Sequence, residues 1–439
     1  MSESTENTSQ ETRPPRRWRW LKLTGLGALA IVGLGLIWFA LANWRASARL
    51  NAKLAEVEAR GVPLSLVELS RTPPPPDQNA ATYLDRAAAQ LKAIESIVST
   101  AGDRLSYADQ YRFQLQRMPT PALLAALQTA FAQNPEAIPL LFKAAAAPDY
   151  DPQLNYDQPQ HAFLEEYLNN SQDVRRPIRV LNYYVTMCLN DGKQVEALDA
   201  CIAMFQLIRH FDRRPLLTGY LVNLAVRGVA VHAANSVLRA GPLPAEGRSR
   251  LEAELAHPVP RLQSVIESER AYGMGEFREL PIAGSAYLRT PMGKRDMADY
   301  LELLDGIEKR AQTPYSEVHA WIDSLQLGPL AQLMVPAMQA SYEAETRLTA
   351  QLRCLQILNV LTQRVSDNPD SSPNLTDLGL PAEAITDPYA GKQLILRHEP
   401  NGWLIYSVGQ NGKDDGGRIH DSAPGGYLDV GLGPPTEVK

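Results

Sequence analysis

The residues of this chain whose types and spacing suit chemistry are few, and the clearest group lies near the C-terminus. Asn411, Asp414, Asp415 and, further on, Asp421 bring amide and carboxylate oxygens into a glycine-rich stretch. Such oxygens suit Ca²⁺, a hard cation that takes six to eight oxygen ligands in a flexible shell. The order is not that of an EF-hand loop, because Lys413 and Asp415-Gly416 fall in the wrong places, and an exposed polar turn is the competing reading. Elsewhere HExxH, CxxC, GxSxG, SxxK, GxGxxG and P-loop sequences are absent. The seven histidines are dispersed, none three or four residues from another. Glu267, Glu269 and Arg270 fall among polar residues and read as a solvated helix face. Tyr156, Tyr183 and Tyr184 read as groove or packing aromatics. No catalytic residue and no cofactor other than calcium is assigned.

The elements that would position such a loop begin with Leu21 to Ala42, an apolar run with Lys22 as its only charge. This matches the ~20 residues a helix needs to cross the hydrocarbon layer. Arg13, Arg16, Arg17, Arg19 and Lys22 precede it, while only Arg45 and Arg49 come closely after. The positive-inside rule then puts the N-terminus in the cytoplasm and everything after Asn43 outside it, a single-pass protein of the inner membrane. Trp18, Trp20, Trp38 and Trp44 stand where interfacial anchors do. The competing reading is a cleaved signal peptide, with Ala40-Leu41-Ala42 as its site. The run is long for such a peptide, and a polar segment precedes it, so a retained anchor is expected.

The chain of 439 residues has net charge -6, which gives no reason to expect a nucleic-acid partner. Its three cysteines, Cys188, Cys201 and Cys354, are not a disulfide scaffold and read as buried thiols, with a Cys188–Cys201 bridge as the alternative. The chain divides into five segments: a disordered cytoplasmic tail (1–20), the transmembrane helix (21–42), a membrane-proximal helix and Pro-rich spacer (43–76), an all-α exported domain (77–370), and a β-hairpin tail with an irregular end (371–439). In the membrane-proximal helix Leu50, Leu54 and Val57 form one stripe, and Gly61-Val62-Pro63 ends it. The all-α region shows apolar residues at three- and four-residue spacing, such as Tyr83, Ala87, Leu91 and Ile94. Prolines and glycines, Pro177 among them, punctuate about a dozen helices. A longer irregular stretch is expected from about Glu276 to Thr290.

One helical pair is legible in detail. Arg179 to Asn190 and Val195 to Phe211 flank the turn Asp191-Gly192-Lys193, with Leu198, Cys201 and Phe205 expected on the buried face. Gly192 to Ala197 resembles the hairpin of tetratricopeptide repeats, but no copies recur at the 34-residue period of such arrays. In the tail, Gln393 to Arg397 and Trp403 to Ser407 read as two strands reversed at Asn401-Gly402. Leu394, Leu396, Leu404 and Tyr406 are expected to share one face.

The tail also carries short motifs in a familiar order: Asp387-Pro388-Tyr389, Gly391-Lys392, Leu396-Arg397, Tyr406-Ser407-Val408-Gly409 and Asn411-Gly412-Lys413-Asp414-Asp415-Gly416-Gly417. Together they resemble the C-terminal signature of the type II secretion major pseudopilin, the G protein. That family has a β-hairpin after its helix and a calcium-binding C-terminal loop, so the resemblance implies Ca²⁺ at Asn411, Asp414, Asp415 and Asp421. The prepilin peptidase site and the buried glutamate of the pseudopilin helix have no counterpart here. The chain thus resembles membrane-anchored helical proteins that carry a pseudopilin-like tail. The expected function is a protein-interaction or scaffolding role in the envelope. The alternatives are a component of a secretion or pilus-like assembly, and an enzyme whose site is built from distant residues.

Overall fold

Helix α1, Arg16–Ala59, runs unbroken for 44 residues, about 66 Å at the ~1.5 Å rise of an α-helix. No Pro or Gly lies between Gly35 and Gly61, so nothing interrupts it where the apolar run gives way to a polar one. It stops at a glycine cap: Gly61 has φ 68°, and the Val62 N–H donates back to the Val57 carbonyl. From Thr24 the helix is long and apolar enough to cross a membrane, and its apolar window is wholly unburied. The structure is a computed structural model that describes residues 16–100, 119–213, 216–279, 282–310, 313, 315–367, 373–419, 422–423, 426–427 and 429–434. Of the segment 1–20, expected to be a disordered tail, Met1–Pro15 lies outside the described residues, and Arg16–Trp20 instead belong to α1.

The described body is mainly helical: α2 (Ala80–Thr100), α3 (Pro121–Gln133), α4 (Ala137–Ala146), α5 (Gln160–Asn190), α6 (Gln194–Phe211), α7 (Leu217–Arg239), α8 (Ala245–Leu255), α9 (Gln263–Glu279), α10 (Ile282–Leu288), α11 (Pro291–Glu308), α12 (Tyr315–Ser324) and α13 (Pro329–Asp367). α7 also has the length and composition of a membrane span, but 61 % of its apolar window is buried, which makes it a core helix. The segment that leads into the Pro-rich spacer packs on this body. Leu66 and Leu69 are buried against Phe163, Leu216 and Ala271, and Arg71 pairs with Asp149 and Asp151.

Two expectations about punctuation are corrected. Pro177 lies inside α5; it removes one backbone bond, but Ile178 and Leu181 are buried on either side of the next turn, and tertiary packing outweighs the local loss. Among its described residues the stretch from Glu276 to Thr290 is mainly helical rather than irregular, since α9 reaches Glu279 and α10 covers Ile282–Leu288. Two glycines of α9 serve close approach. A Cβ on Gly273 would lie 2.1 Å from the Tyr300 hydroxyl, and one on Gly275 would lie 1.9 Å from the Gln160 amide.

The α5–α6 hairpin forms as read. Gly192 takes φ 71° in the turn, and Lys193 N–H donates to the Cys188 carbonyl. Leu198, Cys201 and Phe205 are buried, but so are Ala200, Ile202, Met204 and Leu207. Beyond its exposed first turn α6 is therefore enclosed by α4, α5, α7 and α8. The three cysteines are buried and free.

In the tail, β1 (Ile395–Glu399) pairs antiparallel with β2 (Gly402–Ser407), and β2 pairs with β5 (Val430–Leu432). β3 (Ser422–Ala423) and β4 (Gly426–Tyr427) form a separate two-stranded ribbon. The reversal centres on Pro400-Asn401, because Glu399 pairs with Gly402. That register sets Leu396 opposite Ile405 and Arg397 opposite Leu404, so Leu404 and Tyr406 lie on the face away from Leu394 and Leu396, contrary to expectation. Both faces of β2 are nonetheless covered. On one face Leu394, Ile405 and Leu432 join the helical core and Val430 meets Tyr389 and Ala350 of α13; on the other Leu404 and Tyr406 are buried beside Gly417.

Phe205 sits in this enclosed helix, and Phe205→Ala is expected to destabilise the protein by about 3–5 kcal/mol in denaturant unfolding. A loss below about 1 kcal/mol would show that the cavity collapses or that the ring is not part of the core.

Candidate functional site

The tail loop is built on two carboxylates, Asp387 and Asp429. Asp387 is buried ahead of β1; its Oδ1 accepts from Tyr389 N (2.8 Å) and Ser407 Oγ (2.7 Å), and its Oδ2 from Val408 N (3.0 Å). Asp429 is buried just before β5; its Oδ2 accepts from Gly417 N (2.8 Å) and Arg418 N (3.1 Å), and its Oδ1 from Asp415 N (3.4 Å). Burial pushes the Asp429 carboxyl up, opposed by those same amides. Between these ties stand the residues read as calcium ligands. Asp414 Oδ1 accepts from the Tyr406 hydroxyl (3.0 Å) and Gly416 N (2.9 Å). Asn411 donates to Asp415 Oδ2 (2.7 Å) and accepts from Lys413 N. These three bond within the loop, and Asp421 lies outside the described residues. Among the described residues no group of three or more acidic, histidine or cysteine side chains could hold a metal ion.

A second polar constellation joins the N-terminal helix to the body. α11 carries Asp296, Asp299, Glu302, Asp305 and Glu308, an acidic residue at every third position. α1 runs alongside with Arg49 and Lys53, and Arg60 follows directly after its last residue. Arg49 pairs with Asp299 (2.7 Å) and Glu302 (2.6 Å), and Arg60 with Asp305 (2.7 Å) and Glu308 (3.4 Å). Leu50 and Val57 are buried between the pairs. Arg270 comes to the same acids from α9, at 3.0 Å from Asp305 and 3.1 Å from Glu308. It is fully buried, so the solvated face read for Glu267, Glu269 and Arg270 is corrected: only Glu267 faces solvent. Hydrogen bonding to Asp305 leads the causes that raise the Arg60 guanidinium further above its ordinary range. The signal for this clamp is present in the sequence as two spacings, but each is an ordinary solvated stripe until the helices are paired.

The body also holds cavities. One of about 550 Å³ lies between α8 and α13 and is lined by His257, Arg261, Glu345, Arg353, Gln356 and Asn359 among others. Burial pushes the Glu345 carboxyl up, against the Leu262 amide and the Tyr220 hydroxyl that bond to it at 2.8 Å each. A cavity of about 340 Å³ is lined by Arg71, Tyr156, Tyr167 and Arg213, which places Tyr156 at a groove. Tyr184 instead packs edge-on to Phe131. An apolar groove of about 410 Å³ runs between α7 and α13. No protein-family model matches the chain, and neither does any curated protein or any solved structure.

Two outcomes test these polar groups. Asp305→Ala leaves Arg270 buried with half its acid partners, and a loss of about 3 kcal/mol is expected in equilibrium unfolding. Lys53→Ala on the solvent side of the same interface is expected to cost about 1 kcal/mol or less. Glu345 has its folded-state pKa raised above the ordinary 4.5, so its contribution is intact below that value and is lost as pH rises through the raised one. Glu345→Gln is therefore expected to gain stability relative to the unmodified chain as pH increases from 4.5 toward neutrality. A pH-independent difference would mean that Glu345 ionises as freely as in the unfolded chain.

Proposed function

We propose that this chain is a single-pass inner-membrane protein whose helical body stands on the exported side as a protein-interaction scaffold. The observation that carries this reading is α1 itself. Its apolar part is unburied, and the same helix continues without a break into the ion-paired seam with α11. A flexible leash would let a body sample every height and rotation above a bilayer. A continuous helix with buried apolar residues and two arginine clamps sets both, which is what a platform for a partner requires. The basic residues ahead of the run support a cytoplasmic N-terminus.

The Glu345 cleft favours a second reading, an enzyme. It is a concave, partly apolar cavity with a carboxyl held toward its neutral form, the combination from which acid chemistry is built.

A reporter fused after Lys439 is expected to be active only outside the cytoplasm. A mature chain beginning at Asn43 would remove the anchor and with it the fixed platform. Crosslinking in the envelope followed by capture is expected to return a protein partner. Recovery of secretion subunits that depends on residues 371–439 would favour the assembly role instead.

A further inference from the structure

We propose that the end of the body from which α1 departs is seated on the lipid headgroups of the membrane that α1 crosses; this rests on the membrane reading of α1. The level of that end comes from the contacts. Lys294 Nζ lies 2.9 Å from Asn43 Oδ1 and 2.8 Å from Ser47 Oγ, and the later pairs Arg49–Asp299 and Arg60–Asp305 continue in the same order. α11 therefore runs parallel to α1, starting where the apolar run ends. α13 runs the same way, since Leu330 N meets Asp296 Oδ2 at 3.4 Å, while Gln263 meets both the Ile307 carbonyl and, one end further, the Tyr342 hydroxyl. The first turns of α11 and α13 thus stand nearest the bilayer.

These turns carry an unusual surface. Outside α1, the two most exposed large apolar side chains among the described residues are Met292, 62 % exposed, and Leu333, 75 % exposed. Met292 is in the first turn of α11 and Leu333 in the second turn of α13. Arg45, Arg289 and Arg295 are exposed at the same end. Asp296 and Asp299 are buried. Asp299 lies 3.7 Å from Arg295 Nε and also holds Arg49, yet the Arg295 side chain stays 60 % exposed. Apolar tips among arginines suit the interfacial layer of an anionic membrane.

The geometry also asks for a tilt. Leu333 stands about two helical turns beyond Ala42, ~10 Å, against a headgroup layer of roughly 5–7 Å. α11 separates α13 from α1, two helix spacings of ~8–10 Å, so an ordinary tilt of ~20° toward α13 lowers Leu333 by on the order of 6 Å. Met292, beside α1, needs no tilt.

The test uses the full chain in nanodiscs of phosphatidylglycerol-containing lipid, with single substitutions Met292→Cys, Leu333→Cys or Val195→Cys carrying an environment-sensitive fluorophore. The native cysteines are buried and do not compete. Val195 is exposed at the far end of the body. Its neighbour Gln194 bonds to the Val237 and Gly241 carbonyls at the end of α7, beyond the point where His232 meets Gln351 of α13. Lipid spin-labelled at the headgroup is expected to quench the labels at 292 and 333 and spare the one at 195. Arg289→Glu with Arg295→Glu is expected to weaken that quenching. Labels at 292 and 333 as bright as the one at 195, in protein that floats with lipid vesicles, would overturn the seat and leave the anchor standing. Protein that does not float with vesicles would overturn the anchor and the seat together.

Discussion

Asp305 accepts from two arginines that come from different parts of the chain, Arg60 at the end of α1 and Arg270 in the middle of α9. A buried carboxylate and a buried guanidinium are each costly alone, and their pairing makes their burial tolerable. The arrangement therefore ties three helices into one seam. Remove the acid and Arg270 loses a partner in a place water does not reach; remove Arg60 and α1 loses its last fixed point before the Gly61 cap. The apolar contacts of Leu50 and Val57 supply the area, and the ion pairs supply the register between α1 and α11. Together they make α1 one rigid object from its apolar half to its cap.

The tail obeys the same logic on a smaller scale. The β1–β2 hairpin is marginal alone, and here β5 joins it and Leu394, Ile405, Val430 and Leu432 are absorbed into the core along α13. The polar motif residues around it close turns: Asp387 gathers the start and end of the hairpin, and Asp429 gathers the glycine-rich loop. Asp414 and Asp415 are held in that loop by Tyr406 and Asn411.

Much of this was legible in the residues. The apolar run, the Leu50–Val57 stripe, the glycine stop at Gly61 and the α5–α6 turn at Gly192 come from local rules that the structure respects. Local rules failed where a distant residue decided the outcome. Pro177 stays helical because of the packing around it. The hairpin register turned on a single residue, the choice between Asn401-Gly402 and Pro400-Asn401 as its centre, and that choice exchanged the faces of Leu404 and Ile405. Glu269 and Arg270 looked solvated because their partners, the Leu217 amide and Asp305, lie dozens of residues away. The three-residue acid spacing of α11 was visible, but only its pairing with α1 distinguishes a seam from a solvated face.

The rigidity of α1 against the body is open to direct measurement. Pulsed electron paramagnetic resonance between spin labels at Leu34→Cys, in the apolar half of α1, and Val195→Cys, at the far end of the body, reports the distribution of distances in nanodiscs. One rigid unit gives a single narrow distance, and Asp299→Ala with Asp305→Ala broadens it. A broad distribution in the chain that retains Asp299 and Asp305 would contradict the clamp and leave the body on a leash.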